Sequence, residues 1–208
     1  MAVCVECSAE IPPAARLKLY CPFCNKKSDK YAEVNNTCTI IDLLLLKEAV
    51  FRHMLLNTRF SAWRLCALVL LHLCSIASVR VFGLRIGALA VNGASQFSLD
   101  FLFSDVVIQA SMMATYILCL RLAFGGIRLA PLAYYVLFSS FYSLFRILFS
   151  FWKYDTVQYF VIIEILGCTG NAIALNCVDR DSAKVFSTVV LAKLVSIILP
   201  LSIANYLQ

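Results

Sequence analysis

The chain has 208 residues, 62% of them hydrophobic and 14% charged, and a net charge of +6. Its mean hydropathy is +0.84. This balance argues against a soluble globule, whose surface needs more polar residues than these, and points to an integral membrane protein. The charges are unevenly spread: residues 1–64 carry nine Lys or Arg and six Asp or Glu, and residues 65–208 carry the same numbers over more than twice the length.

Residues 1–39 read as a small water-exposed module. A unit of about 40 residues cannot build a sufficient core and usually needs a metal or disulfides. It holds Cys4-x-x-Cys7 and Cys21-x-x-Cys24, with Pro12 and Pro13 in the connection. Two residues between thiolates let both sulfurs of a knuckle face one ion, and two knuckles complete a tetrahedral shell. The expected ligands are therefore Cys4, Cys7, Cys21 and Cys24, and the expected ion is a structural zinc, since four thiolates leave no open position for catalysis. Two disulfides are the competing reading, which a cytosolic head disfavours. Cys38 has no partner at knuckle spacing. No apolar stretch of signal-peptide length stands in the first 38 residues, so the first span is expected to act as the targeting signal.

Residues 40–59 follow as an expected interfacial amphipathic helix. On a helical wheel Leu43, Leu44, Val50, Phe51, Met54 and Leu55 share one side, while Asp42, Glu48, Arg52, His53 and Asn57 fall on the other. Lys47 falls on the apolar side and would have to snorkel. Crossing the bilayer would put Lys47 and Arg52 in hydrocarbon at about 2.5–3.5 kcal/mol each, so a helix lying in the interface is preferred.

Residues 60–208 read as a transmembrane helical bundle of about five spans: 63–85, 99–121, 129–152, 156–178 and 183–206. The connections are short except 86–98, which could be a loop or a re-entrant piece. The basic residues up to Arg64 set a positive-inside bias that places the N-terminus in the cytosol.

Ionisable residues at membrane depth are Asp105, Arg146, Glu164 and Lys193. Such groups turn towards the bundle interior. A Glu164–Lys193 pair would lock two helices, or the group would line a polar cavity for a headgroup or ion. His72 reads as packed and hydrogen-bonded. Arg52 and His53 either hold a lipid phosphate or a partner's acidic group, or form a solvated face with a Glu48–Arg52 pair. No nucleophile elbow, phosphate loop or H-E-x-x-H run occurs, and a membrane-tethered head with a modest basic excess does not suit nucleic acid.

The cysteine pairs, followed by D-K-Y-A-E at 29–33 and I-D-L-L-L-L-K-E-A-V-F-R-H-M-L-L-N at 41–57, resemble the homology domain of the Arv family. The resemblance covers about the first 57 residues. The inter-pair gap is shorter than the family's, no acidic residue follows Y-x-E, and Phe51 replaces a Tyr. It implies a non-enzymatic, multi-pass membrane protein of the endoplasmic reticulum, or of the Golgi. The expected role is intracellular sterol and lipid transport and homeostasis, including sphingolipids and glycosylphosphatidylinositol precursors. Membrane lipids would be its partners. The alternative is an accessory scaffold of an endoplasmic-reticulum glycolipid-synthesising enzyme complex. Tyr31, Glu33, Asp42, Lys47, Arg52, His53 and Asn57 would form the lipid or partner surface.

Overall fold

A computed structural model describes residues 2–12, 20–90, 99–151, 157–179 and 181–206. Pro13, Arg180, the 153–155 connection and residues 91–98 of the 86–98 connection lie outside the described residues.

The cysteine module opens with a two-residue hairpin, β1 (Ala2–Val3) against β2 (Glu10–Ile11), paired antiparallel. A 3₁₀ turn at Lys30–Ala32 leads out of it, started by Asp29, whose side chain accepts from Tyr31 N–H. The segment expected as one interfacial helix is in fact two. α1 spans Asn36–Leu44 and α2 spans Glu48–Arg52, continued by a π turn at His53–Asn57. The break is local: Leu46 adopts φ 54°, a left-handed conformation that ends a helix. Lys47 then starts α2 in extended geometry. Its ammonium does not snorkel along an apolar face; it reaches back to Asp42 Oδ1 at 2.6 Å.

Six further helices follow among the described residues: α3 (Ala62–Ala90), α4 (Leu99–Ala123), α5 (Leu129–Ser139), α6 (Phe145–Phe151), α7 (Val157–Asn176) and α8 (Ser182–Tyr206). Their positions follow the five apolar runs, with α5 and α6 sharing the third and α3 running on to Ala90, into the connection expected at 86–98. That run is bent by 51° between Leu129–Ser139 and Phe141–Leu148, where a 3₁₀ turn, Phe141–Leu144, intervenes. The Ser139 hydroxyl donates to the Tyr135 carbonyl, the back-bonding that bends helices. Among the described residues, two helices are long and apolar enough to cross a bilayer, Val106–Ala123 and Ser182–Leu199, or three if the bent pair counts as one. Ala62–Ser75 and Val161–Asn176 are shorter apolar helices.

The bundle core is a stripe of Tyr116, Leu120 and Phe124 on α4 against Val185, Val189 and Ala192 on α8, closed by Leu132, Val136 and Leu175. The three- and four-residue spacings put each set on one helix face. The opposite faces stay apolar as well, with Leu191 61% and Ile198 62% exposed. A helix apolar all round belongs in lipid. In lipid, burial of hydrocarbon does not drive helices together, so polar contacts and close packing must. Both occur between α5 and α7. Asn171 is buried; its Oδ1 accepts from the Ser140 hydroxyl at 3.2 Å, and its amide donates to Tyr116 Oη at 3.1 Å. Beside it, a Cβ added at Gly170 would lie 2.6 Å from the Ser139 carbonyl oxygen, so the two backbones approach as only glycine allows.

Candidate metal centre and its clasp

The four cysteines expected as ligands come together. Their Sγ atoms all lie within 4.8 Å of one another. Cys4–Cys24 and Cys7–Cys21 are each 3.7 Å apart. That is about the 3.8 Å edge of a tetrahedron with 2.3 Å metal–sulfur bonds, and far beyond a disulfide bond of about 2.05 Å. No cysteine is in a disulfide among the described residues, and Cys38 is exposed.

The two knuckles repeat one backbone design. After each second cysteine stands a residue in the left-handed region, Ser8 at φ 61° and Asn25 at φ 57°. Ser8 N donates to Cys4 O and Asn25 N to Cys21 O, both at 3.0 Å. Cys4 N then bonds Ala9 O at 2.9 Å and Cys21 N bonds Lys26 O at 2.8 Å. Each tight turn presents two sulfurs to the same side, and the turns face each other. Small polar residues suit the left-handed positions. The donor set is soft, closed and four-fold, so it fits a tetrahedral metal ion.

The polar residues of the 40–57 segment face this module. Arg52 is only 9% exposed. Its Nη1 donates to the carbonyls of Val5 at 2.8 Å and Glu6 at 3.2 Å, both inside the first knuckle. Its guanidinium also pairs with Glu48 one turn earlier, as the spacing predicts. Asn57 behaves like a strand partner: its Oδ1 accepts from Val3 N and its Nδ2 donates to Val3 O, each at 2.9 Å. Asp29 is the hub. Its Oδ2 lies 2.8 Å from His53 Nδ1 and accepts from Asn57 Nδ2 at 2.8 Å, while its Oδ1 caps Tyr31. Burial alone would raise the Asp29 carboxyl, but the bonds from His53, Asn57 and Tyr31 hold it below its ordinary value.

Tyr31 completes the clasp. Its hydroxyl donates to Asp42 Oδ2 at 2.8 Å, and its ring lies 5.6 Å from that of His53. Lys47 and then Tyr31 hold Asp42 below the usual carboxylate range. Glu33 alone of the seven stands apart, paired with Lys27 at 2.7 Å on the surface. The outward lipid or partner surface expected from Arg52, His53 and Asn57 does not match these contacts. A helical wheel separates polar from apolar sides, but it cannot tell water from a folded module lying across the helix.

The clasped unit is also seated on the spans. Val5, Tyr31, Val50, Phe51 and Leu55 share one core with Tyr134 of α5 and Ala174 of α7. Phe51 meets Phe138 edge-on at 6.2 Å. The Tyr142 hydroxyl, at the bend between α5 and α6, donates to the Leu44 carbonyl.

The ionisable residues expected at membrane depth come together too. Glu164 of α7 accepts from Lys193 of α8 at 2.8 Å and pairs with Arg146 of α6. His72 is buried, with Nδ1 donating to Leu68 O at 2.9 Å. The side chain of Asp105 lies outside the described residues. Sequence reasoning missed Asp29 as the clasp's hub, although D-K-Y was visible beside the second knuckle. It also missed Asn171 and its serines, for which a polar residue in an apolar run is the available signal.

Fold and site together define a helical membrane protein whose N-terminal four-cysteine module is bolted to a short helix and, through it, to the spans. The Arv1-like family model matches residues 3–175. The chain belongs to the Arv1-like family. It is 26% identical over 202 residues to "Protein ARV 2" of Arabidopsis thaliana, covering 86% of this chain and 84% of that protein. It is 49% identical over 37 residues to "Protein ARV1" of Saccharomyces cerevisiae (strain ATCC 204508 / S288c), covering 18% of this chain and 12% of that one. No solved structure matches.

Proposed function

We propose that this protein acts in sterol and lipid homeostasis at the endoplasmic reticulum membrane, handling sterol or glycolipid within its spans without catalysing a reaction. The carrying observation is the clasp: Arg52, His53 and Asn57 fix the cysteine module to α2, and the shared core fixes both to α5 and α7. A module held this way serves as a rigid cap on a membrane bundle. Membership of the Arv1-like family supports the lipid role.

Cys4, Cys7, Cys21 and Cys24 would hold a zinc ion, whose chemistry here is structural cross-linking of the two knuckles. The five apolar runs would each cross the bilayer, with the bent third run as one span. The head would lie in the cytosol and α1 along the interface, where Ile40, Ile41, Leu44 and Leu45 are exposed. Asn35-Asn36-Thr37 is a glycosylation acceptor that reports the orientation. A cytosolic head leaves it unmodified, whereas an endoglycosidase-sensitive shift lost in Asn35→Gln would reverse the topology.

The direct test is photo-crosslinking of a sterol and of a glycosylphosphatidylinositol precursor to the purified full chain. Saturable labelling of the spans is expected, and its absence for both probes contradicts the lipid-handling reading. A second reading, an accessory scaffold for a glycolipid-synthesising complex, is favoured by the outer knuckle. Phe23 is 68% exposed at its tip, beside the exposed Lys26 and Lys27. That reading predicts co-purification with the complex, lost in Phe23→Ser while the fold persists.

A further inference from the structure

The clasp engages Arg52, His53 and Lys47 within the head. Three other cations face an open cleft. Its volume is about 310 Å³, and Glu6, Lys26, Lys27 and Lys30 line it. That volume falls within the range of ligand clefts, about 300–1,000 Å³.

The cleft is a product of the assembled knuckles. Glu6 belongs to the first, and its carbonyl is held by Arg52. Lys26 and Lys27 follow the second: the Lys26 carbonyl accepts from Cys21 N–H at 2.8 Å, and Lys27 bridges Tyr20. Lys30 opens the 3₁₀ turn that Asp29 starts. A bond from Val5 N to Ser28 O at 3.0 Å joins the two sides.

The charges lining it favour an anion. Two carboxylates answer three ammonium groups: Glu6 holds Lys30 at 2.9 Å and Lys26 at 3.5 Å, and Glu33 holds Lys27 at 2.7 Å. The remaining acids of residues 1–57 do not line the cleft. Asp29, Asp42 and Glu48 are bound into the clasp. Residues 13–19, between the knuckles, add Arg16 and Lys18 and no acid. The three lysine side chains are still 67%, 47% and 39% exposed, so their remaining donors are open to a ligand. Lys30 is further steadied by the Tyr31 ring, 5.2 Å from its Nζ. A phosphate has oxygens enough for several ammonium groups at once.

Position favours a lipid as the source of that phosphate. The core shared with the spans reaches Ala174, two residues from the end of α7, and Tyr134, five residues into α5. At 1.5 Å per residue these lie about 3 Å and about 8 Å from the helix ends. With those helices crossing the bilayer, as proposed above, the head sits at headgroup level. Tyr20 and Phe23, beside and within the knuckle that leads to Lys26 and Lys27, are exposed. Aromatic rings next to lysines suit that level, where rings lodge among headgroups and ammonium groups meet anionic lipid.

We propose that Lys26, Lys27 and Lys30 bind the phosphate group of an anionic membrane lipid in this cleft, with Glu6 as their resident counter-charge. Glu6 keeps Lys26 and Lys30 in place while no phosphate is bound and gives way in part when one enters. The lipid-handling reading concerns the spans; this site is a second, separate contact with lipid, made by the head.

The test uses the full chain alone in nanodiscs with two photoactivatable probes of the same acyl chains, a phosphatidic acid and a diacylglycerol, each reactive near its glycerol. Saturable labelling of residues 20–33 by the phosphatidic acid, and not by the diacylglycerol, is expected. Lys30→Gln is expected to weaken it about fivefold, and the triple Gln variant of Lys26, Lys27 and Lys30 about a hundredfold. Lys30→Arg should recover the loss. Glu6→Gln, which removes the counter-charge, is expected to strengthen labelling several-fold. If Glu6 and Lys30 serve only to tie the knuckles together, Glu6→Gln labels no better. Equal labelling by both probes, or labelling that ignores these variants, overturns the proposal. So does the absence of saturable labelling, which an acidic protein partner in the cleft predicts. Displacement by inorganic phosphate as dilute as the lipid assigns the cleft to the free ion and overturns the lipid source. Each of these failures leaves the lipid-handling reading standing, since that reading falls only with the sterol and glycolipid labelling of the spans.

Discussion

The head and the membrane bundle are held together by different means. In the head each charge of the clasp is answered locally: Asp29 by His53 and Asn57, Asp42 by Tyr31 and Lys47, and Arg52 by Glu48 and two carbonyls. Between the long helices the contacts are apolar stripes, the buried Asn171 amide and the close approach at Gly170, with Glu164 bridging Arg146 and Lys193. Satisfied polar networks rigidify and specify a single arrangement, whereas helices in lipid rely on small residues and a few polar bonds. The head is thus fixed by its polar clasp, and the bundle by packing.

The comparison breaks most visibly if the four-cysteine site is disabled. Cys21→Ser, or chelation, is expected to remove one metal equivalent per chain and to open the module. Structural zinc contributes about 10–16 kcal/mol in small domains, more than a module this size can replace. Metal analysis with limited proteolysis of residues 1–57 reads the effect. Next in size is Arg52→Ala, which strands the Val5 and Glu6 carbonyls and costs about 2–3 kcal/mol. A fall in melting temperature with the metal still bound is expected, and Arg52→Lys should recover only part of it.

Within the bundle, Gly170→Ala forces α5 and α7 apart at Ser139 and costs about 1–3 kcal/mol. Thermal denaturation in detergent measures it, and Gly167→Ala, where an added Cβ meets nothing within 4 Å, is the control. A smaller effect follows from Asp29. Its folded carboxyl sits below its ordinary value. The clasp therefore stabilises the head at pH above the unfolded value of about 3.9, and that contribution is lost as pH falls through the lower folded value. A pH titration of head stability should show this loss on the acid side, abolished in Asp29→Asn. Smallest of all, Phe23→Ser at the exposed knuckle tip should change stability by less than about 0.5 kcal/mol.

The helices of the apolar runs and the four cysteines were legible because each carries a signal confined to its own stretch: a long apolar run, and a fixed x-x spacing. The bend at Ser139–Phe141 was not, since it depends on a serine bonding its own helix and on Tyr142 reaching Leu44. Nor was the break at Leu45–Lys47, where a left-handed Leu46 interrupts a sequence with no Gly or Pro. The clasp was hidden for a different reason. Arg52, His53 and Asn57 were rightly singled out, but their partners are the backbone of Val3, Val5 and Glu6 and the side chain of Asp29. Backbone partners leave no mark in a sequence, and a contact spanning 47 residues, as between Arg52 and Val5, has no local pattern.

The central claim is that the knuckles and the Glu48–Asn57 segment are one cooperative unit. Hydrogen–deuterium exchange on the full chain in nanodiscs, wild type against Cys21→Ser, tests it most directly. The account predicts that amides of residues 3–9 and 48–57 lose protection together while α8 keeps its own. Retained protection of residues 48–57 after the knuckles open would contradict it.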